Sequence, residues 1–244
     1  MGGTEGQMRD FDRAEAISAL GWWLDSGVDV AIGETPRDWR RSVPVPVPAP
    51  AAQRAGSPIA QAPGEAPRDL AAFRAWLEVE PGLPLDRPGA RRILPHGAEA
   101  APLMLFADFP SAQESAEGRP LAGESWVLAQ RMLAAINIAP EAAYLATLAC
   151  FHAPGARLDG AELERCASIA RDHIRLARPE RLLLFGDAPA RALTGHPLAA
   201  ARGKVHRIEG VRTVATFHPR WLLQRPSDKA LAWKDLLLLM SEEG

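Results

Sequence analysis

Four short, mainly apolar runs divide the chain beyond residue 100: Leu103 to Ala107, Tyr144 to Ala149, Arg181 to Phe185 and Val211 to Phe217. Runs of this length, mostly apolar rather than strictly alternating, predict strands buried on both faces of a sheet. Between them the spacing turns helical, over Asp69 to Leu77 with an acidic cap, Ser125 to Ile136, Gly160 to Ala177, Ala188 to Leu193 and Ser227 to Met240. Strands alternating with helices predict an α/β domain. Its sheet is expected to be mainly parallel, four-stranded and flanked by helices on both faces through right-handed crossovers. In that arrangement Asp108, the stretch 147–152, Gly186 and His218 all leave carboxyl ends of strands along one rim, where open α/β sheets place their chemistry.

The first third of the chain reads differently. Residues 12–26 carry Ala16, Leu20, Trp23 and Leu24 at helical spacing, ahead of Gly27. From Val43 onward Pro44, Pro46, Pro48, Pro50, Pro58, Pro63 and Pro67 stand among alanines, a composition that removes backbone donors and favours extended, disordered chain. The expected organisation is a helical extension over 1–42, a Pro/Ala-rich linker over 43–68 and a folded domain over 69–244.

At 244 residues, 47% apolar and 24% charged, the chain can bury a sizeable core. No apolar run reaches the roughly 20 residues that span a bilayer, and the polar N-terminus lacks a signal-peptide pattern, so a cytoplasmic protein without membrane contact is expected. Two cysteines argue against a disulfide scaffold. The net charge of −2 conceals a division. Residues 151–244 hold 15 Lys+Arg against 11 Asp+Glu and are +4, whereas residues 1–150 hold 13 against 19 and are −6. A basic C-terminal part admits a nucleic-acid partner without requiring one.

Chemistry concentrates in two stretches. Ala107-Asp108-Phe109-Pro110-Ser111, two residues and Glu114 follow the first core strand, with Gly118-Arg119-Pro120 and Gly123 soon after; small residues and prolines there predict a tight loop with Asp108 at its mouth. Near the end, His218-Pro219-Arg220-Trp221-Leu222-Leu223-Gln224-Arg225-Pro226 leads to Lys229, Trp233, Lys234, Asp235 and Leu236. Pro219 stops the strand, which leaves His218 at its edge. A carboxylate and an imidazole at the same end of one sheet form an acid–base constellation.

These stretches resemble uracil-DNA glycosylases of family 4. The family's opening motif, Gly-Glu-Ala-Pro-Gly, two residues and Glu, is similar to 107–114; its Gly-Arg-Pro and following Gly fall on Gly118 to Pro120 and Gly123. Its later Cys pair, sixteen positions apart with a Glu four before the second, falls on Cys150, Cys166 and Glu162; its closing His-Pro motif recurs from His218 to Leu236. The likeness covers about residues 69–240, and Trp22-Trp23-Leu24 with its neighbours looks like the N-terminal extension of some bacterial members. The resemblance implies a three-layer fold and a monofunctional, monomeric enzyme of base-excision repair. Such an enzyme hydrolyses the N-glycosidic bond of uracil or a damaged base in flipped-out DNA. It implies that His218 donates to the base, that Asp108 stabilises the sugar cation or activates water, that Ala107, Phe109, Pro110, Ser111, Leu121, Ala146 and Thr147 line the base pocket, and that Pro219, Arg220, Arg225 and Lys229 meet DNA. Trp221 and Leu222 stand where they could wedge into an opened stack, or in the core.

The chain departs from the family pattern at particular places. Leu121 replaces the aromatic platform, Ala146 the base-reading Asn, Asp108 a Glu and Ser111 a Gly. A [4Fe-4S] cluster needs four thiolates. The region of Pro81-Gly82-Leu83-Pro84-Leu85 holds none of the family's first pair, so Cys150 and Cys166 are remnants and no cofactor is expected. A glycosylase for hypoxanthine or a modified pyrimidine, and a non-catalytic binder of DNA or damaged bases, remain as alternatives.

Overall fold

The computed structural model describes residues 67–87, 89–153 and 158–241. The expected helix over 12–26 and most of the Pro/Ala-rich stretch lie outside them.

Thirteen helices and strands are needed to place the site. Helix α1 (Leu70–Val79) is capped by Asp69, whose carboxylate accepts from the Ala72 N–H at 2.7 Å, as the sequence leads one to expect. Strand β1 (Leu103–Ala107) leads to α2 (Ala112–Glu117) and α3 (Gly123–Ala135), and β2 (Ala143–Thr147) to the long α4 (Gly160–Ala177). Then follow β3 (Arg181–Phe185), α5 (Asp187–Thr194), α6 (Leu198–Ala201), β4 (His206–Ile208), β5 (Val211–Thr216), α7 (Pro219–Gln224) and α8 (Lys229–Met240). Strand β2 stops two residues before the end of its apolar run, because Thr147 turns to donate its hydroxyl to the Ala149 carbonyl at 2.8 Å.

The sheet order is β2-β1-β3-β5-β4. The four expected strands are parallel, and β4 is a fifth, pairing antiparallel with β5. Side chains alternate across the sheet with period two. Met104, Phe106, Tyr144, Ala146, Leu182, Leu184 and Ala215 meet α1, α4 and α5 on one face, while Leu103, Leu105, Ala107, Leu145, Leu183, Phe185 and Val214 meet α3 and α8 on the other. Strand β1 lies inside the sheet, between β2 and β3, with all five residues buried. Outside β2, the chain at 92–96 runs as a strap, with His96 and Leu145 exchanging two backbone hydrogen bonds at 2.9 and 2.7 Å. Gly97 then passes so close that a Cβ there would sit 2.7 Å from the Tyr144 Cα.

On the α4 face the core contains one polar network. The Tyr144 hydroxyl and His173 Nε2 lie 2.7 Å apart, and Arg74 Nε donates to that hydroxyl at 3.3 Å. Burial holds the His173 imidazole at about 3, so the ring is neutral at any physiological pH.

Candidate active site

The carboxyl ends of β1, β3 and β5 bring Asp108, Gly186 and His218 together. Asp108 directly follows β1; its neighbour Gly186 follows β3 at φ +103°, and a Cβ on Gly186 would lie 3.0 Å from Asp108 Oδ2. Glycine is needed here because this backbone conformation and this close approach both exclude a side chain. His218 ends the β5 segment and caps the short helix α7, with its Nδ1 accepting from the Arg220 main-chain N–H at 3.1 Å. An accepting Nδ1 assigns the proton of the neutral ring to Nε2. That Nε2 is buried, has no hydrogen-bond partner among the described residues, and stands 3.6 Å from Asp108 Oδ1.

The protonation states follow from the surroundings. Burial pushes the Asp108 carboxyl up to about 6 against the pull of the Arg220 guanidinium, with Glu114 adding to the rise. Burial, and then the charge of Arg220, hold His218 well below its ordinary value. Near pH 7 the site therefore contains a carboxylate and a neutral imidazole, and the 3.6 Å approach is not an ion pair. A free N–H donor beside a carboxylate can stabilise negative charge developing on one part of a substrate and positive charge on another.

Arg220 reaches inward. Its Nη2 hydrogen-bonds Asp108 Oδ1 and the Phe109 carbonyl, the latter at 3.1 Å, and its Nη1 lies 3.6 Å from Glu114 Oε2. Glu114 in turn accepts from the Ser111 N–H at 2.6 Å, while the Ser111 hydroxyl accepts from the Glu114 N–H, a reciprocal cap that starts α2. Ser111 is thus a capping residue at the edge of the loop. Pro110 is buried, its carbonyl 2.7 Å from His152 Nδ1, and Phe109 packs against the core beside it.

The remaining expected pocket residues divide between the two faces of the sheet. Ala107 and Leu121 belong to the core against α3 and α8; Leu121 is buried at φ +55°, an uncommon conformation for leucine. Ala146 packs on the other face, and with Thr147, Phe106, Cys150 and His173 lines a cavity of about 20 Å³, the room of a single water. Asp108, Phe109, Pro110, Ser111, Arg220 and His218 form one cluster, and Leu121 and Ala146 are separated by the sheet.

Of the residues expected at DNA, Pro219 is buried at the start of α7, and Arg225 and Lys229 are exposed. A stacked ladder missed by sequence reasoning borders them. The Arg202 guanidinium lies 4.2 Å from the Phe217 ring centre, Phe217 stacks on Trp221 at 6.3 Å and 13°, and Arg225 lies 4.7 Å from the Trp221 ring. Arg202 also pairs at 2.8 Å with the buried Asp235, which accepts from the Thr216 hydroxyl. Trp221 is 40% exposed and Leu222 is buried, so of the two only Trp221 is presented to solvent. The spacing of four between Trp221 and Arg225 was the available signal.

The iron-sulfur question can be put to the donor set. Two thiols do not make four ligands, burial pushes both Cys150 and Cys166 up to about 12, and no cluster of three or more His, Cys, Asp or Glu suited to a metal occurs among the described residues. Where the missing cysteines would stand, Leu83 and Leu85 are buried in the core. Arg92 ties this segment down, donating to the Leu77 and Glu80 carbonyls at 2.7 Å each and to Asp86 at 3.3 Å, with its guanidinium 5.2 Å from the Phe151 ring. The residues present do not fit a [4Fe-4S] cluster.

No helix among the described residues is long and apolar enough to cross a membrane. A family model, "Uracil DNA glycosylase superfamily", matches residues 94–237. The chain is also 25% identical over 147 residues to a "Type-4 uracil-DNA glycosylase" of Pyrobaculum aerophilum, covering 56% of this chain and 75% of that relative. The matched span begins in the strap beside β2 and ends within α8, and so takes in the whole sheet together with Asp108 and His218. With that fold and that rim in agreement with the matched model, this chain belongs to the uracil DNA glycosylase superfamily.

Proposed function

We propose that the protein hydrolyses the N-glycosidic bond of uracil, or of a related damaged base, in DNA, working without an iron-sulfur cluster. The observation that carries this reading is the unpartnered Nε2–H of His218 beside the Asp108 carboxylate. As the C1′–N bond breaks, its electron pair moves onto the base and positive charge grows on the sugar. His218 donates to the base oxygen that receives the charge. Asp108 stabilises the sugar cation and takes the proton of the water that adds to C1′.

Reaching the bond requires the nucleotide to leave the stack, at a cost of a few kcal/mol. Arg225, lying over the Trp221 ring, and Lys229 are exposed and suited to phosphates. The core position of Leu121 and the lack of an amide at Ala146 favour a pocket that reads its base differently from the family pattern, which makes hypoxanthine or a modified pyrimidine the second reading.

The test is release of free base from oligonucleotides bearing uracil, hypoxanthine or no lesion, with Asp108→Asn and His218→Ala as controls. Uracil release by the native protein, reduced about 100- to 1000-fold in His218→Ala, supports the proposal. Release of hypoxanthine alone moves it to the second reading. Binding without release of any base makes the protein a non-catalytic binder.

A further inference from the structure

We propose that Arg220 is a positioning residue: its side chain holds Asp108 to one side of the cleft, and its main-chain N–H orients His218, so that acid and donor stay separate. The chemistry of this inference rests on the glycosylase reading, whereas its geometry does not.

Asp108 Oδ1 has two neighbours able to donate to it, Arg220 Nη2 and His218 Nε2, and the arginine takes it. The imidazole is left at 3.6 Å, beyond hydrogen-bonding distance. Were the carboxylate to turn to the ring, the Nε2–H would be consumed and no donor would remain for a base. The guanidinium is fixed from three sides, by Asp108, by the Phe109 carbonyl and by Glu114 at 3.6 Å, and a planar fork suits such a set of acceptors better than an ammonium does. The opposite end of the same residue, its backbone N–H, occupies His218 Nδ1 and thereby places the ring proton on Nε2. One residue thus sets the form of both working groups, through two contacts that mutation can separate.

The charged and titratable groups facing Asp108 are Arg220 from α7, His218 from the end of β5 and Glu114 from α2; Gly186 brings only backbone from β3. Removing the Arg220 charge leaves burial and Glu114 unopposed, so Asp108 should take up its proton at higher pH. The His218 contact, being to backbone, should survive.

Full-length Arg220→Ala, Arg220→Lys and Arg220→Gln proteins are compared with the native chain, and thermal unfolding establishes that each is folded. The Asp108 side-chain carboxyl is followed by ¹³C NMR against pH, assigned with Asp108→Asn, and the His218 ring by ¹⁵N NMR. The midpoint of Asp108 should rise by about one pH unit or more in Arg220→Ala and Arg220→Gln, and much less in Arg220→Lys. The His218 tautomer should be the same in all four. The acid limb of kcat/KM for uracil release should move with the Asp108 midpoint. An unchanged midpoint in Arg220→Ala, or a glutamine that matches lysine, overturns the inference. If the native chain releases no base while the midpoint moves as stated, the positioning role stands and the glycosylase reading falls; base release with an unmoved midpoint gives the reverse.

Discussion

Replacing Asp108 by asparagine should make the protein more stable near neutral pH while stopping the reaction. The folded carboxyl sits at about 6, and an unfolded aspartate at about 3.9. A raised acid binds its proton more tightly in the folded state, so its favourable contribution is complete below about pH 4 and is lost as pH rises toward 6. Two pH units at about 1.4 kcal/mol each set a ceiling of about 3 kcal/mol. The side chain is 26% exposed, and solvent screening reduces this to about 1–2 kcal/mol. Asparagine keeps an oxygen that can accept from Arg220 and has no charge to desolvate. Urea unfolding of both proteins from pH 4 to pH 7.5 should give curves that diverge by that amount between pH 4 and 6 and run parallel above. Parallel curves throughout, or a native protein that gains on the variant as pH rises, would show that Arg220 outweighs burial and refute the argument.

Further outcomes follow from the same geometry. Gly186→Ala should cost about 2 kcal/mol, since its φ of +103° and the 3.0 Å approach to Asp108 both exclude a Cβ; calorimetry should record a fall in Tm of about 4–8 °C. Arg92→Ala removes three hydrogen bonds that bind residues 77–86 to the core, and should cost about 2–4 kcal/mol in chemical unfolding while iron content and visible absorbance stay at background. Tyr144→Phe removes the hydroxyl that lies 2.7 Å from His173 Nε2 and should cost about 1–3 kcal/mol by the same assay. Arg225→Ala and Lys229→Ala should each lower the slope of log K against log salt for DNA binding by about one, with little change in the base preferred.

The central strands were legible because they are buried on both faces: uninterrupted apolar runs such as Leu103 to Ala107 and Leu182 to Phe185 read as strands once Gly, Asp or Pro ends them. Strand β4 was not legible. It is three residues long, includes a charged Arg207, and owes its existence to the hairpin at Glu209-Gly210, both at positive φ, which folds it back on β5. In the site, the rim positions of Asp108 and His218 followed from strand ends. The inward turn of Arg220 did not, because 112 residues separate it from Asp108 and an arginine on a short helix reads equally well as a phosphate ligand. The opposite placement of Leu121 and Ala146 was hidden for a similar reason: motif spacing places a residue along the rim but does not determine which side of the sheet its side chain enters.

The strap that runs outside β2 has a consequence for self-association. A sheet with a bare margin can add a strand from a neighbouring molecule. Here His96 already satisfies both backbone groups of Leu145, the Ile93 N–H satisfies the Cys150 carbonyl, and the opposite margin is a three-residue strand bearing His206 and Arg207. Among the described residues, the sheet therefore offers little free edge on which a second copy could add a strand and begin a fibre.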